Sequence, residues 1–375
     1  MAGIYIHVPF CKTRCHYCDF FKSTNLAFRK QYFEKVLEEI RERSDFFEKN
    51  NTPVQTIYFG GGTPSLLKVE WIDEILESIQ TNFRVIDNVE ITLEANPDDL
   101  NFEYLKAIKN IGINRLSIGV QSFFDEDLKR MGRRHNALQS RSALEWAFKA
   151  GFQNVGIDLI YGLPWSDSNL FLSNLDVLQE YPIVHLSAYH LTIEPNTQFG
   201  KLKLQKKLFE IEDSKSEKLF WNLHDKAEQL GFEHYEISNF CKEGYFSRHN
   251  SSYWNNEPYL GVGPGSHSYD GNHRYWIKPD LHQYVTKGYS EGLSCESLTT
   301  TDRFNEYLML GLRTQKGIDI KGMMENFEEF WINIQPKVQK WLDSDFLECE
   351  DGYIRGTRKG WFVIDGVIKD LFLID

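Results

Sequence analysis

The chain has 375 residues, 41% of them hydrophobic, with 27 Phe, 18 Tyr and 9 Trp, enough to bury a large core in more than one domain. Its net charge is −12 with no long basic run; non-specific nucleic-acid affinity comes from Lys and Arg set against phosphates, so no nucleic-acid partner is expected. No segment reaches the roughly 18 apolar residues of a bilayer span, and "MAGIYIHVPF" lacks the basic n-region of a signal peptide. The expectation is a soluble, cytoplasmic protein without membrane insertion.

Along the first half, apolar β-branched runs alternate with helical patterns. Strands are predicted over "GIYIHV" (3–8), "QTIYFG" (55–60), "VEITLEA" (89–95), "RLSIGVQ" (115–121), "NVGIDLIYG" (154–162) and "HLSAYHLT" (185–192). Amphipathic helices are predicted between them, over 28–47, 68–82, 101–110 and 139–150. Near-continuous apolar strands separated by helices indicate a parallel sheet covered by helices. Six such units predict an α/β fold built on a partial (β/α)6 TIM-type barrel, since a complete barrel has eight. The barrel is assigned to residues 1–230. Residues 231–298 are set apart as an extension rich in Tyr, Trp, His and Gly, with weak periodicity.

Residues 299–375 carry a new pattern. A helix is predicted over "DRFNEYLMLGLRT", two more near 319–328 and 333–344, and a last one over "WFVIDGVIKDLF". Within "FLECEDGYIRGT", Asp351-Gly352 sits between short strands as a hairpin turn. This reads as a small winged-helix-like α+β cap domain; its 10 Lys and Arg against 14 Asp and Glu argue against DNA reading.

Chemistry-bearing residues fall after the predicted strands, and in a parallel barrel the strand C-termini share the face on which the loops build a site. Cys11, Cys15 and Cys18, spaced C-x3-C-x2-C, follow the first strand, and "GGGTP" (60–64) follows the second. Glu94 ends the third, Gln121 ends the fourth, and Asp158 interrupts the fifth. Cys241, Cys295 and Cys349 are scattered, so a metal site plus ordinary thiols is favoured over disulfides in a reducing compartment. Three thiolates on a 4Fe-4S cluster leave one iron without a protein ligand, and an open position lets a metal bind a substrate or cofactor. The spacing alone also permits zinc, with His7 or His16 as fourth ligand, a reading that leaves the GGGTP loop and Glu94 unexplained. Glycines at 60–62 let a ligand press against bare backbone, although an ordinary strand-to-helix turn would use them too. Glu94 and Asp158, in apolar strands, need partners: an arginine such as Arg133 or Arg134, or the ribose or amino group of a ligand.

Together, "CKTRCHYC", "GGGTP", "LEANP", "GVQSF" and "GIDLIYGLP" resemble the radical S-adenosylmethionine (SAM) superfamily. More narrowly they resemble its branch containing oxygen-independent coproporphyrinogen III dehydrogenase and the HemW haem chaperones. The likeness runs from Tyr5 through the C-terminal domain. It implies a 4Fe-4S cluster on Cys11, Cys15 and Cys18, with its free iron chelated by SAM. It also implies SAM contacts from Tyr5, Tyr17, Gly61, Gly62, Thr63 and Glu94. Gln121, Arg133 and Asp158 match positions that hold a second SAM in the dehydrogenase. In this superfamily one electron from the cluster cleaves the sulfonium carbon–sulfur bond, so an electron donor is implied if SAM is cleaved.

"RHNSSYWNNEPYLGVGPGSHSYDG" holds His249, Asn250, Tyr253 and Trp254, an HNxxYW pattern that resembles the haem-binding signature of the chaperones. An imidazole can ligate haem iron and aromatics can stack on a porphyrin; a histidine in an aromatic loop can also be a hydrogen-bonded structural residue. His267 and His273 are weaker candidates on the same segment. Phe20 stands where the dehydrogenase has another cysteine, and the first strand begins almost at Met1, so no N-terminal closing segment is expected. With HNxxYW, these features imply a chaperone that carries haem as cargo to acceptor proteins. The alternative is the dehydrogenase, which converts coproporphyrinogen propionates to vinyl groups. A homodimer is left open.

Overall fold

The protein is described by a computed structural model over residues 2–48 and 52–374. All six predicted strands form: β1 (Ala2–Val8), β2 (Val54–Gly61), β3 (Val85–Ala95), β4 (Arg115–Gln121), β5 (Asn154–Tyr161) and β6 (His185–His190). They lie side by side in chain order, each parallel to the next. The predicted helices between them are α1 (Arg29–Glu42), α2 (Val69–Asn82), α3 (Phe102–Asn110) and, after a short α4 (Asp125–Arg130), α5 (Ala137–Lys149). Spacing explains which face each buries: α2 turns Ile72, Ile75, Leu76 and Ile79 inward, the i, i+3, i+4, i+7 stripe of an amphipathic helix. Asn136 and Gln139 start α5 with a reciprocal capping box, satisfying two backbone donors that would otherwise be orphaned.

The strands are less uniformly apolar than their sequences suggest. Side chains alternate between the faces of a sheet, and one face carries Ile4, Ile6, Ile57, Phe59, Leu93, Leu116, Ile118 and Ile157 into the core under the helices. Cross-strand register puts polar groups on the other face: Tyr5 lies beside Tyr58, Tyr58 beside Thr92, Thr92 beside Arg115, Glu94 beside Ser117, and Asp158 beside Ser187. A polar sheet face must be covered by something that answers its hydrogen bonds, and this face leads to the candidate site.

Residues 231–298 extend both edges of the same sheet. β7 (Glu233–Glu236) and β8 (Asn239–Cys241) continue it beyond β6, while β9 (Tyr259–Val262) pairs parallel with β1. β10 (His267–Tyr269), β11 (His273–Ile277) and β12 (Leu293–Ser297) follow antiparallel beyond β9, giving a mixed sheet of twelve strands. These strands are three to five residues long, too short for alternation to stand out in a sequence window.

The C-terminal α+β region has its own core. The helix Thr300–Leu312 starts at a Thr299/Asp302 capping box, and β13 (Ile318–Asp319) precedes the helix Ile320–Asp343, broken at Phe327 (φ −145°, ψ 38°). The break separates the two helices expected there. β14 (Leu347–Glu350) and β15 (Tyr353–Gly356) form the hairpin; Asp351 and Gly352 have φ of 51° and 82°, as a two-residue primed turn requires. Phe304, Leu308, Leu312, Trp331 and Ile334 belong to this second core. Arg274–Glu306 at 2.8 Å and Arg358–Asp225 at 2.7 Å fasten it to the sheet region. No helix among the described residues is long and apolar enough to cross a membrane.

Candidate functional site

Beyond β1 the chain makes a loop closed at its base, where Cys11 N–H donates to Ser23 O (3.0 Å) and Ser23 N–H to Pro9 O (2.6 Å). Cys11, Cys15 and Cys18 sit on this loop as half-buried free thiols. The glycine loop after β2 runs against it, with Gly62 N–H donating to Val8 O at 2.8 Å. A Cβ on Gly62 would lie 2.8 Å from the carbonyl oxygens of both Val8 and Phe10, and Gly61 has φ of +105°. Both positions therefore need glycine, one for close approach and one for its backbone angle. Thr63 Oγ1 points at Cys11 Sγ (3.5 Å). Burial pushes the Cys11 thiol up from its ordinary pKa, while the Thr63 bond opposes that shift.

Arg133 spans the same pocket. Its guanidinium donates to Asn96 Oδ1 (2.6 Å), to Gly119 O (2.7 Å), to Tyr17 Oη (3.4 Å) and to Cys15 Sγ (3.5 Å). The three cysteines, Tyr17, Gly61, Gly62, Thr63 and Arg133 thus line one cavity. Glu94 stands at its edge, accepting from Tyr58 Oη (2.8 Å) and Gly61 N–H (3.1 Å). Burial raises its carboxyl to about 7, against the pull of those bonds. Tyr5 stacks on Tyr58 with 6.0 Å between ring centres and bonds His7 Nδ1 at 3.3 Å. Gln121 ends β4 at a register shift with φ of +67°, a strained angle for a residue with a Cβ.

Asp158 sits deeper on the polar face, bonded by Ser117 Oγ at 3.0 Å, and burial raises its pKa. Neither Glu94 nor Asp158 is paired as expected: Arg133 bonds neutral groups and a thiol, and Arg134 pairs with Asp98 (2.6 Å) and Asp99 (3.2 Å). Arg115, only 1% exposed, acts electrostatically on both carboxyls, and Arg133 acts in the same way on Asp158 without bonding it. Sequence reasoning passed over Arg115, although an arginine opening the apolar run "RLSIGVQ" was a visible signal. Tyr58 and Asn96 were missed too. Tyr58 looks like a core aromatic, and Asn96 lies in the quoted "LEANP" without any chemistry that marks it.

The HNxxYW residues lie on the helix Arg248–Trp254, on another side of the polar face. His249 is 1% exposed, with Nδ1 on Thr56 Oγ1 (2.7 Å) and Nε2 on Tyr253 Oη (2.9 Å). It stacks on Tyr58 at 4.9 Å, and burial lowers its pKa to about 3. Both ring nitrogens are engaged in this conformation. Tyr253 faces a groove shared with Tyr5, Phe20, Phe21 and His267; Asn250 gives its N–H to the Ser247 cap at 3.4 Å, and Trp254 is half-buried. His273 bonds Asp270 at 3.2 Å.

The cysteine cavity suits a metal–sulfur cofactor with an organic ligand. Its thiols receive hydrogen bonds from Thr63 and Arg133 rather than from one another. Bare glycine backbone and a carboxylate border the same space, and Arg133 Nε is buried without a partner.

Comparison with known proteins agrees. Residues 5–171 match the Radical SAM superfamily and residues 298–363 match the HemN C-terminal domain. The chain is 32% identical over 375 residues to the heme chaperone HemW of Lactococcus lactis, covering 99% of this chain and 97% of that one. It is 34% identical over 368 residues to the heme chaperone HemW of Bacillus subtilis, covering 97% and 95%. In fold it is similar to coproporphyrinogen III oxidase (HemN) of Escherichia coli, with a TM-score of 0.83 and 21% identity over 99% of this chain and 90% of that one. The chain belongs to the radical SAM superfamily and, within it, to the family of the heme chaperone HemW. Sequence relatedness favours the chaperones over the dehydrogenase.

Proposed function

We propose that this protein binds haem and passes it to acceptor haemoproteins, acting in the cytoplasm on a fold that also holds a 4Fe-4S cluster and SAM. The observation that carries the reading is its near-full-length identity to HemW chaperones from two different bacteria. Cys11, Cys15 and Cys18 are the cluster ligands in this proposal. Gly61, Gly62, Thr63, Glu94, Tyr5 and Tyr17 border the space for SAM, and Gln121, Arg133 and Asp158 are candidates for a second molecule. When bound, the cluster and SAM supply one-electron chemistry, for which an electron donor would be needed.

The residues of this chain do the rest. The glycine loop offers backbone to a polar ligand, Arg133 hydrogen-bonds a thiol, and the helices exclude water from the outer face of the sheet. Phe20, 71% exposed, gives an apolar edge to the cysteine loop where the dehydrogenase has a further thiol. Six sequential parallel strands support the partial-barrel reading, and the C-terminal hairpin with its helices supports the winged-helix one.

Two assays on anaerobically reconstituted protein test the proposal. Haem titration is expected to saturate at one haem per chain, with transfer to an apo-haemoprotein. Incubation with coproporphyrinogen III, SAM and a reductant is expected to leave the tetrapyrrole unconverted. Catalytic formation of protoporphyrinogen would overturn the chaperone reading in favour of the dehydrogenase.

A further inference from the structure

The helix Asp213–Gln229 packs against β7 and carries His224, Asp225 and Glu228 near its C-terminal end. Side chains three and four positions apart meet on one face of a helix, so Glu228 reaches both of the others. One ligand-type atom from each residue lies within 4.8 Å of the other two. His224 and Asp225 are half-buried, while Glu228 opens the cluster to solvent.

His234 of β7 decides where the protons lie. Its ring is buried, stacked on Phe240 with 3.9 Å between ring centres and packed on Trp361 at 5.1 Å. Its Nε2 faces Ile237 O at 3.4 Å, and a carbonyl only accepts, so Nε2 carries the proton. Nδ1 of the neutral ring is then an acceptor, and it sits 3.0 Å from His224 Nδ1. His224 must therefore donate from Nδ1, which leaves a lone pair on its Nε2 above the ordinary imidazole pKa of about 6.5. That nitrogen stands 3.4 Å from Glu228 Oε1. A lone pair facing a carboxylate is two acceptors in contact, and a cation between them makes the contact favourable.

The spacing fits a metal. A tetrahedral ion with ligands at about 2.0–2.1 Å sets neighbouring donor atoms about 3.3 Å apart. A bonded chain from His224 through His234 to a backbone carbonyl is also the outer arrangement that orients a metal-bound imidazole. Asp225 is held by Arg358 at 2.7 Å, and its carboxylate keeps further lone pairs for a second partner. Two carboxylates against one guanidinium leave the cluster net negative.

We propose that His224 Nε2, Glu228 and Asp225 hold a divalent transition ion such as Zn2+, beside the junction that Arg358 makes from the C-terminal region. One imidazole with carboxylate oxygens suits zinc better than the all-oxygen ions calcium and magnesium. Asp225 then joins the ion to Arg358, so the metal reinforces the attachment of residues 299–375. The site shares no residue with the cysteine cavity and is independent of the haem-binding reading.

Zinc titration against a chromophoric chelator at pH 7.5 tests this on full-length protein with its cluster reconstituted, so that the three loop cysteines are occupied. One zinc per chain is expected, with only nitrogen and oxygen neighbours by X-ray absorption at the zinc edge. Zinc affinity is expected to fall at least about tenfold in His224→Gln and in Glu228→Gln, with far-ultraviolet circular dichroism unchanged. Glu228 is exposed, so its variant reads the site even if His224→Gln disturbs packing on Trp221. Unaltered affinity in Glu228→Gln would overturn the site. So would a zinc shell containing sulfur, which would place the ion on exposed Cys295 or Cys349. Absence of zinc uptake would overturn it as well, and would mean that a proton joins His224 to Glu228.

Discussion

A guanidinium set among thiols must find acceptors or remain an uncompensated buried charge. Arg133 finds them in Asn96 after β3, Gly119 in β4, and Tyr17 and Cys15 on the cysteine loop, three separate segments. That convergence fixes the cysteine loop against the strand ends, so each thiol already faces the cavity it would share with a metal. Removing a single ligand should abolish a cluster held by only three. Cys15→Ala is expected to reconstitute without iron–sulfur absorbance and without stoichiometric iron and sulfide, and an intact spectrum in that variant would reject the ligand set. Much of this centre was legible as residue types: the cysteine spacing, the three glycines and the two carboxylates. The groups that act on those carboxylates were not, because Tyr58, Ser117 and the charge of Arg115 act from neighbouring strands, which no local pattern expresses.

At the scale of elements, helices and long strands follow from sequence periodicity and short strands do not. The six parallel strands and four main helices could be read because each repeats its pattern over two turns or several pleats. The edge strands β7–β12 could not, since pairing with an existing edge is what makes three-residue segments extended. The C-terminal region is the element with most independence, for its hydrophobic core is separate from the core beneath the sheet. Phe304 is fully buried there and contacts Phe327 and Phe330. Phe304→Ala is expected to cost about 3–5 kcal/mol within that core. Limited proteolysis should then cut in 299–375 first while the cluster absorbance of the remainder persists. Simultaneous loss of both would show that the region does not unfold by itself.

The whole molecule carries an unusual load of buried titratable groups, and their signs can be worked out. Burial lowers the pKa of His7 to about 4 and of His135, His234 and His249 to about 3, and lowers that of His185 as well. These rings stay neutral in the fold but take up protons in the unfolded chain below about 6.5. Their contribution is therefore fully present above that pH and is lost as pH falls towards the folded values. Carboxyls raised by burial act in the opposite sense. Glu94 and Glu236, both raised to about 7, contribute fully below about 4.3 and lose that contribution as pH rises through about 7. Burial also lowers His190, His224 and His267 and raises Glu39, Asp98, Asp127, Asp158 and Glu306, so eight imidazoles stand against seven carboxyls and Tm is expected to fall on acidification from pH 6.5 to 5. Glu94→Gln should steepen the fall by removing an opposing group, and His249→Gln should make it shallower. A Tm that rises over this interval would contradict the assigned protonation states.

From the sequence alone one could determine the alternating strand–helix order, the hairpin at Asp351-Gly352, the cysteine and glycine loops, and the resemblance to radical SAM proteins. All are encoded in neighbouring residues, where periodicity, turn chemistry and ligand spacing operate. Tertiary structure decided that the polar halves of the strands share one face. It brought Arg115 within electrostatic reach of Glu94 and Asp158, and drew Arg43 of the segment after α1 onto Gly261 O (2.9 Å) and Ser268 Oγ (3.0 Å). It also closed His249 between Thr56 and Tyr253 while leaving His267 exposed beside the groove. The physical reason is distance along the chain: Thr56 and His249 are 193 residues apart in sequence. Only the packing of the whole sheet determines which of these two histidines is enclosed and which stays exposed.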